Sequence, residues 1–421
     1  MQATTQSWIN TPPSDTLDSS EGFDRSASRG RTSTRKKRRH SHRGQGTTKQ
    51  GSQAGCRQKR RKMDAPTLAR PSYPTRYASP SRSPSRSASP AKQLRNLETA
   101  KPSVKFLDRS LVPSGTLREL RTRLARAVGS RFLPVQLRQS FEDNQLLDFD
   151  EVDRLFGDDI CGQMSGDDLE HRIGLIMKAA QRCAERSRDE AAWSQVARSI
   201  LQLALDLEYQ GTSPECAFEI LDIRNQMPAT QFLPSLAGAA GPYIPAKKSD
   251  LALGFELEQT RIAALQALAR LPGSHEIVPL SHSADFDTSS IPLQCAVEVK
   301  KEDGGHLEAR TQLATWHAAA ILHARYLLDS AERDAANLLP EAIQVGWLAI
   351  GHRWELYFTG QTDNEHISCY GPILSAELGT TDRVSLLRLI AAQRIIMKWL
   401  TTEYWTTFEQ IFRSGVTSRT M

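Results

Sequence analysis

Leu117, Leu120, Leu124 and Val128 recur at three- and four-residue spacing, which places them on one face of a helix. Thr116, with Glu119 three residues on, predicts a capping box at its start. A second helix is predicted to open at Ser165, with Asp168 in the box and Leu169, Ile173, Ile176 and Cys183 on its apolar stripe. A third opens at Ser187, with Glu190, and carries Trp193, Val196, Ile200, Ala204 and Leu207. From about residue 215 the period shortens. Apolar runs bounded by Pro and Gly predict strands at Ala217 to Ile223, Asp250 to Phe255 and Leu293 to Val299. A helix then spans about His306 to Leu328. Two strands flank a turn at Gly351-His352, between Ile343 and Thr359, and a closing helix runs from about Asp382 to Phe412. Helices, strands, helix, strand pair and helix describe an α/β (α+β) domain with a small central sheet.

Residues 1–95 carry no such pattern. They are rich in Ser, Thr, Pro, Gly and Arg, and cannot bury enough apolar surface to offset the entropy of ordering. The reading is a disordered tail over 1–95 and a folded domain over 96–415. Within that domain, a helical part covers about 114–210 and an α/β core about 188–415. A hydrophobic share of 39% fits a chain of which part has no core.

Charge divides at the same boundary. Up to Arg95 there are 21 Lys and Arg against 5 Asp and Glu; the remainder holds 33 against 43. The net charges are therefore +16 and −10, and the basic character of the chain belongs to the tail. Arg35 to Arg39 and Arg57 to Lys62 form two basic clusters in the pattern of a bipartite nuclear-import signal, which predicts a nuclear location and the import machinery as a partner. A polybasic arm that touches nucleic acid is the plainer alternative. Ser79, Ser83 and Ser89 each precede proline among arginines, where phosphorylation would weaken phosphate binding.

Six cysteines without a CxxC pair predict reduced, mostly buried thiols. The first thirty residues lack the apolar run of a signal peptide. No stretch is apolar enough for a membrane span, so no membrane partner is expected.

The candidate chemistry lies in the third strand, Gln294-Cys295-Ala296-Val297-Glu298-Val299-Lys300. Alternation puts Cys295, Val297 and Val299 on one face, and Gln294, Ala296, Glu298 and Lys300 on the other. This is the only Glu-x-Lys in the chain. Charged pairs are rare inside apolar strands. The carboxylate could hold a hard cation such as Mg²⁺, and the ammonium could orient a water and offset charge on a phosphate. The plain alternative is an edge strand with two solvated charges. Upstream, Asp250 opens a strand whose Leu251, Leu253 and Phe255 face the core, so Asp250 and Glu298 could share a metal ion. Trp316 and Trp354 could stack on bases, but their apolar settings favour the core.

The ordered segments KKSDLALGF, IPLQCAVEVKK, ARTQLATWHAAAILH and VGWLAIGHRWELYFTG resemble the PD-(D/E)xK nuclease superfamily, and more closely fungal PD-(D/E)XK nuclease-like domain proteins, over about residues 100–415. The resemblance implies a restriction-endonuclease-like core with a mixed sheet flanked by helices. It implies Asp250 and Glu298 as Mg²⁺ ligands, Lys300 serving the attacking water, and Gln312 on the following helix. Glu190 corresponds to the acid such enzymes often add from the first core helix. Asp250 follows Ser249 where the family motif has proline. The expected activity is Mg²⁺-dependent hydrolysis of nucleic acid. The second hypothesis is an inactive nuclease-like fold that binds nucleic acid or protein in the nucleus, and the third an adaptor in nuclear RNA metabolism. The sequence does not fix the oligomeric state.

Overall fold

A computed structural model describes residues 89–157, 164–209, 217–236, 243–269, 277–330, 342–361 and 363–413. The expected tail up to residue 88, both basic clusters, Ser79 and Ser83 lie outside the described residues.

The chain opens with α1 (Pro90–Thr99) and β1 (Ser103–Leu107), then α2 (Thr116–Gly129). A two-residue parallel pair, β2 (Leu133–Pro134) and β3 (Phe156–Gly157), brackets α3 (Arg138–Asp143) and α4 (Phe149–Leu155). Two long helices follow, α5 (Gly166–Glu185) and α6 (Glu190–Tyr209). Next come β4 (Ala217–Asp222), β5 (Leu251–Glu256), α7 (Gln259–Ala269), α8 (Phe286–Ser289) and β6 (Leu293–Lys300). The remainder is α9 (His306–Ser330), β7 (Gln344–Ile350), β8 (Arg353–Gln361), β9 (His366–Tyr370), α10 (Arg383–Trp399), a π-turn (Leu400–Tyr404) and α11 (Trp405–Arg413).

Seven strands form one mixed sheet in the order β1-β9-β8-β7-β6-β5-β4. The pairs β1/β9 and β6/β7 are parallel and the other four are antiparallel. Both faces are covered, which is why β6 is buried along its whole length and β7 up to its last residue. On one face Ala252, Ala296, Leu348, Tyr357 and Cys369 pack with Ala309, Leu313 and Trp316 of α9. On the other, Val297, Val299, Trp347, Ala349, Leu356 and Phe358 join the larger core, to which α2, α5, α6 and α10 contribute their apolar stripes. The stripes read from the sequence on α2, α5 and α6 are all buried, as are Trp316 and Trp354. Among the described residues Cys183, Cys295 and Cys369 are buried and unpaired.

The structure corrects several expectations. Ordered chain begins before residue 96: α1 starts at Pro90, buries Leu97, and leads into β1, which pairs with β9 at the edge of the sheet. The segment before α2 therefore belongs to the sheet. Gly115, at φ 95°, takes the N-cap of α2, so Thr116 is the first helical residue rather than the cap. Ser187 sits in a turn at φ 44°, and Asp189 caps α6 by accepting from Ala192 N at 3.1 Å. That shift makes Glu190 the first residue of α6.

Strict alternation along β6 also fails at its start. Cys295 has φ 54°, and the β5/β6 register slips there, with Leu251 opposite Val297 but Leu253 opposite Gln294. The extra residue of this bulge puts Leu293, rather than Gln294, in the cluster of Ala296. Gln294 turns to the backbone instead: its Nε2 donates to Ile343 O at 2.9 Å, while its Oε1 accepts from Cys295 N and Val345 N. These three bonds hold a non-glycine residue in the left-handed region, three residues before Glu298.

Candidate active site

Register decides which side chains share a row. Glu298 of β6 pairs with Leu348 of β7, and Leu348 with Glu355 of β8. The next row is Lys300, Ile350 and Arg353. On the other flank Leu251 pairs with Val297, so one step earlier in the antiparallel strand Asp250 comes opposite Glu298. Paired residues project to the same side of a sheet, so Asp250, Glu298 and Lys300 share the face covered by α9.

Asp250 immediately precedes the first residue of β5. Its backbone N–H donates to Val297 O at 3.1 Å. Its carboxylate replaces the next backbone carbonyl of the ladder, with Oδ2 accepting from Val299 N at 2.7 Å. Ser249, in the position of the family's proline, uses its hydroxyl to bond Val297 O at 3.1 Å. Burial pushes the Asp250 carboxyl above its usual range, and the Val299 amide and Lys300 pull against that rise.

Glu298 is 1% exposed. Lys300 Nζ donates to its Oε1 at 2.8 Å, while Oε2 is buried without a partner. Burial, and then the charge of Asp250, push the Glu298 carboxyl well above its ordinary range despite Lys300. Lys300 also reaches Glu190 at the start of α6, with Nζ 3.5 Å from Oε1. Burial works against the Lys300 ammonium, but the three surrounding carboxylates outweigh it and raise its pKa. Asp250, Glu190, Glu298 and Lys300 are thus one electrostatic cluster, assembled from β5, α6 and β6.

Gln312 lies on the sheet-facing stripe of α9, between Ala309 and Trp316. Its Oε1 is buried and unbonded, and no bond joins it to Asp250, Glu298 or Lys300.

The unbonded Glu298 Oε2 beside a second carboxylate is a donor set suited to a hard divalent cation, which prefers oxygen. Among the described residues no group of three or more His, Cys, Asp or Glu is drawn together closely enough to hold a metal ion as it stands. The Lys300 ammonium holds the place between Glu298 and Glu190.

A family model of the PD-(D/E)XK nuclease superfamily matches residues 136–405, a span that contains the whole cluster. The chain belongs to this superfamily. Among curated proteins none matches it. Strands β4 to β9 of the sheet lie within the matched span and belong to the nuclease-like fold.

Sequence reasoning missed a second polar group on the same face. Glu355, two strands from Glu298, is 6% exposed and lies within reach of His306, Arg353 and Tyr357. These residues line a cavity of about 510 Å³, together with Arg310, Ile350, His352 and Glu302. The signal was available: Glu355 is a carboxylate inside the apolar run Trp354 to Phe358, as Glu298 is inside its own.

Proposed function

We propose that the chain is a divalent-metal-dependent nuclease that hydrolyses phosphodiester bonds of nucleic acid, with Mg²⁺ as the ion. The observation that carries this reading is the buried Glu298, with one free oxygen beside Asp250 and with Lys300 bonded to the other oxygen. Two carboxylates in this setting repel, and a cation would relieve the repulsion. Asp250 and Glu298 would hold the ion, with Glu190 as a third oxygen donor. Bound there, the ion would neutralise phosphate charge and acidify a water.

The residues of the chain supply the rest. The Val299 amide fixes the Asp250 carboxylate, and the sheet fixes Glu298, so both are positioned before substrate arrives. Lys300 is held charged by its carboxylate neighbours. Its ammonium would orient the attacking water and offset charge that builds on the phosphate oxygens. The test is cleavage of single- and double-stranded DNA and RNA by the full chain with Mg²⁺ or Mn²⁺. Wild type should cleave at least one of them, and Lys300→Ala and Asp250→Asn should not.

One observation favours a second reading, a nuclease-like fold used for binding. Lys300 bridges Glu298 and Glu190 and holds the acids together without metal. Full nucleic-acid binding without cleavage under every metal condition would select it.

The nucleus is the proposed location, through import machinery reading Arg35 to Arg39 and Arg57 to Lys62. Alanine replacement of both clusters should move a fluorescent fusion into the cytoplasm.

A further inference from the structure

The cavity at Glu355 is not used by that mechanism. Glu355 is fully engaged: Arg353 Nη2 lies at 2.6 Å, His306 Nε2 at 2.8 Å, and Tyr357 donates its hydroxyl at 3.0 Å. Arg310 follows one turn after His306 on α9 and has no such partner. Its guanidinium stacks 4.2 Å from the Phe106 ring centroid and 5.9 Å from that of Tyr357. Its Nε is buried and unbonded, and among the described residues no hydrogen bond or ion pair is made by its side chain. Glu302, the other carboxylate of the lining, is exposed.

The buried Nε–H of Arg310 is costly to leave without an acceptor, and the charge of the guanidinium favours an anion in that role. Stacking on two rings fixes its plane in advance, so little entropy is lost when a bidentate anion binds. The cavity also opens on the same sheet face as the nuclease cluster. Ile350 lines it and is the row partner of Lys300, and Glu355 lies two strands from Glu298 on the same face, about 10 Å by strand spacing. An anion at Arg310 and a phosphate at Lys300 would thus lie along one face, within reach of a single short strand.

We propose that this cavity seats a phosphate of the substrate strand other than the one being cleaved, with Arg310 as the residue that binds it. The proposal rests on the nuclease reading for its choice of ligand.

The probe is a 5′-phosphorylated dinucleotide, in deoxy and ribo forms, added to the full chain in EDTA so that nothing is cleaved. The readout is the melting temperature of the folded domain. It responds only to ligand bound to the folded state, so contacts with the basic tail leave it unmoved. Wild type should gain about 2 °C at saturating probe. Arg310→Met should lose the gain and Arg310→Lys should keep part of it. An equal gain in wild type and Arg310→Met, or no gain in wild type, overturns the proposal. So does a gain of the same size with inorganic phosphate alone, which would make the cavity a site for free phosphate. The two readings fail separately. Cleavage that needs Lys300 without an Arg310-dependent gain removes only the subsite. An Arg310-dependent gain in a chain that never cleaves removes the nuclease, and with it the substrate strand, and leaves Arg310 as a binding site for a nucleic-acid phosphate.

Discussion

Glu298 and Lys300, two residues apart on β6, meet side chain to side chain, with Lys300 Nζ 2.8 Å from Glu298 Oε1. The contact leaves Glu298 Oε2 buried and unbonded beside Asp250. Mg²⁺ or Mn²⁺ should therefore raise the melting temperature of the chain by binding the folded state. Glu298→Gln should abolish that rise and cost little stability without metal, because it removes a repelled charge and keeps the shape. A metal-induced rise of wild-type size in Glu298→Gln would show that the ion binds elsewhere.

Asp250 has a structural bond as well as a charge. Asp250→Ala leaves Val299 N without its 2.7 Å acceptor and should cost about 1–3 kcal/mol in chemical denaturation. Asp250→Asn retains an acceptor oxygen and should cost clearly less. Both should lose cleavage. Equal destabilisation by the two variants would refute the ladder-extending role of the carboxylate.

Acid should weaken the domain through buried histidines. Burial depresses His317 to about 3, His323 to about 4, and His282 well below its ordinary value. The folded state then binds fewer protons than the unfolded chain below an unfolded pKa near 6.5, so stability falls as pH drops from there toward 4. Each histidine contributes at most about 1.4 kcal/mol per pH unit in that window. Asp250 and Glu298, whose folded pKa is raised, push the other way, losing stability as pH rises through their window. Replacing His323 isolates one contribution. His323→Gln, which can still donate to Pro279 O, should show a shallower loss of stability between pH 6 and 4.5 than wild type. An unchanged slope would count against it.

Gly346 should tolerate no side chain. A Cβ there would lie 2.5 Å from His317 Nε2 and 2.7 Å from Leu313 Cδ1. Gly346→Ala should destabilise by about 1–3 kcal/mol, measured by urea unfolding, since α9 must shift off the sheet. Wild-type stability would mean that α9 packs more loosely than the described contacts imply.

A chain that starts at residue 89 should melt as the full chain does. One that starts at residue 108 should melt markedly lower, because it loses β1 from the sheet edge and the buried Leu97 and Val104. Each such side chain contributes about 1.5–3 kcal/mol. Equal melting of the two fragments would make the first helix and strand dispensable.

The sequence by itself determined the fold class, the helix stripes and the strand that carries Glu298 and Lys300. Those features are local: a period of 3.6 or 2 in burial is imposed by one element against a core, and residues i and i+2 of a strand share a face whatever surrounds them. It failed where the cause is not local. The slip at Cys295 comes from pairing with β5, and the edge position of β1 from pairing with β9 across more than two hundred residues of chain. Asp250 and Glu298 are 48 residues apart, and only the antiparallel register of β5 and β6 brings them opposite each other. Glu190, which the resemblance implied, reaches Lys300 from the first residue of α6, and that start is set by Asp189 rather than Ser187. Arg310 was an ordinary charged residue until α9 and β8 met over one cavity. What a residue does with its charge is set by which neighbours satisfy it, and those neighbours are chosen by tertiary packing.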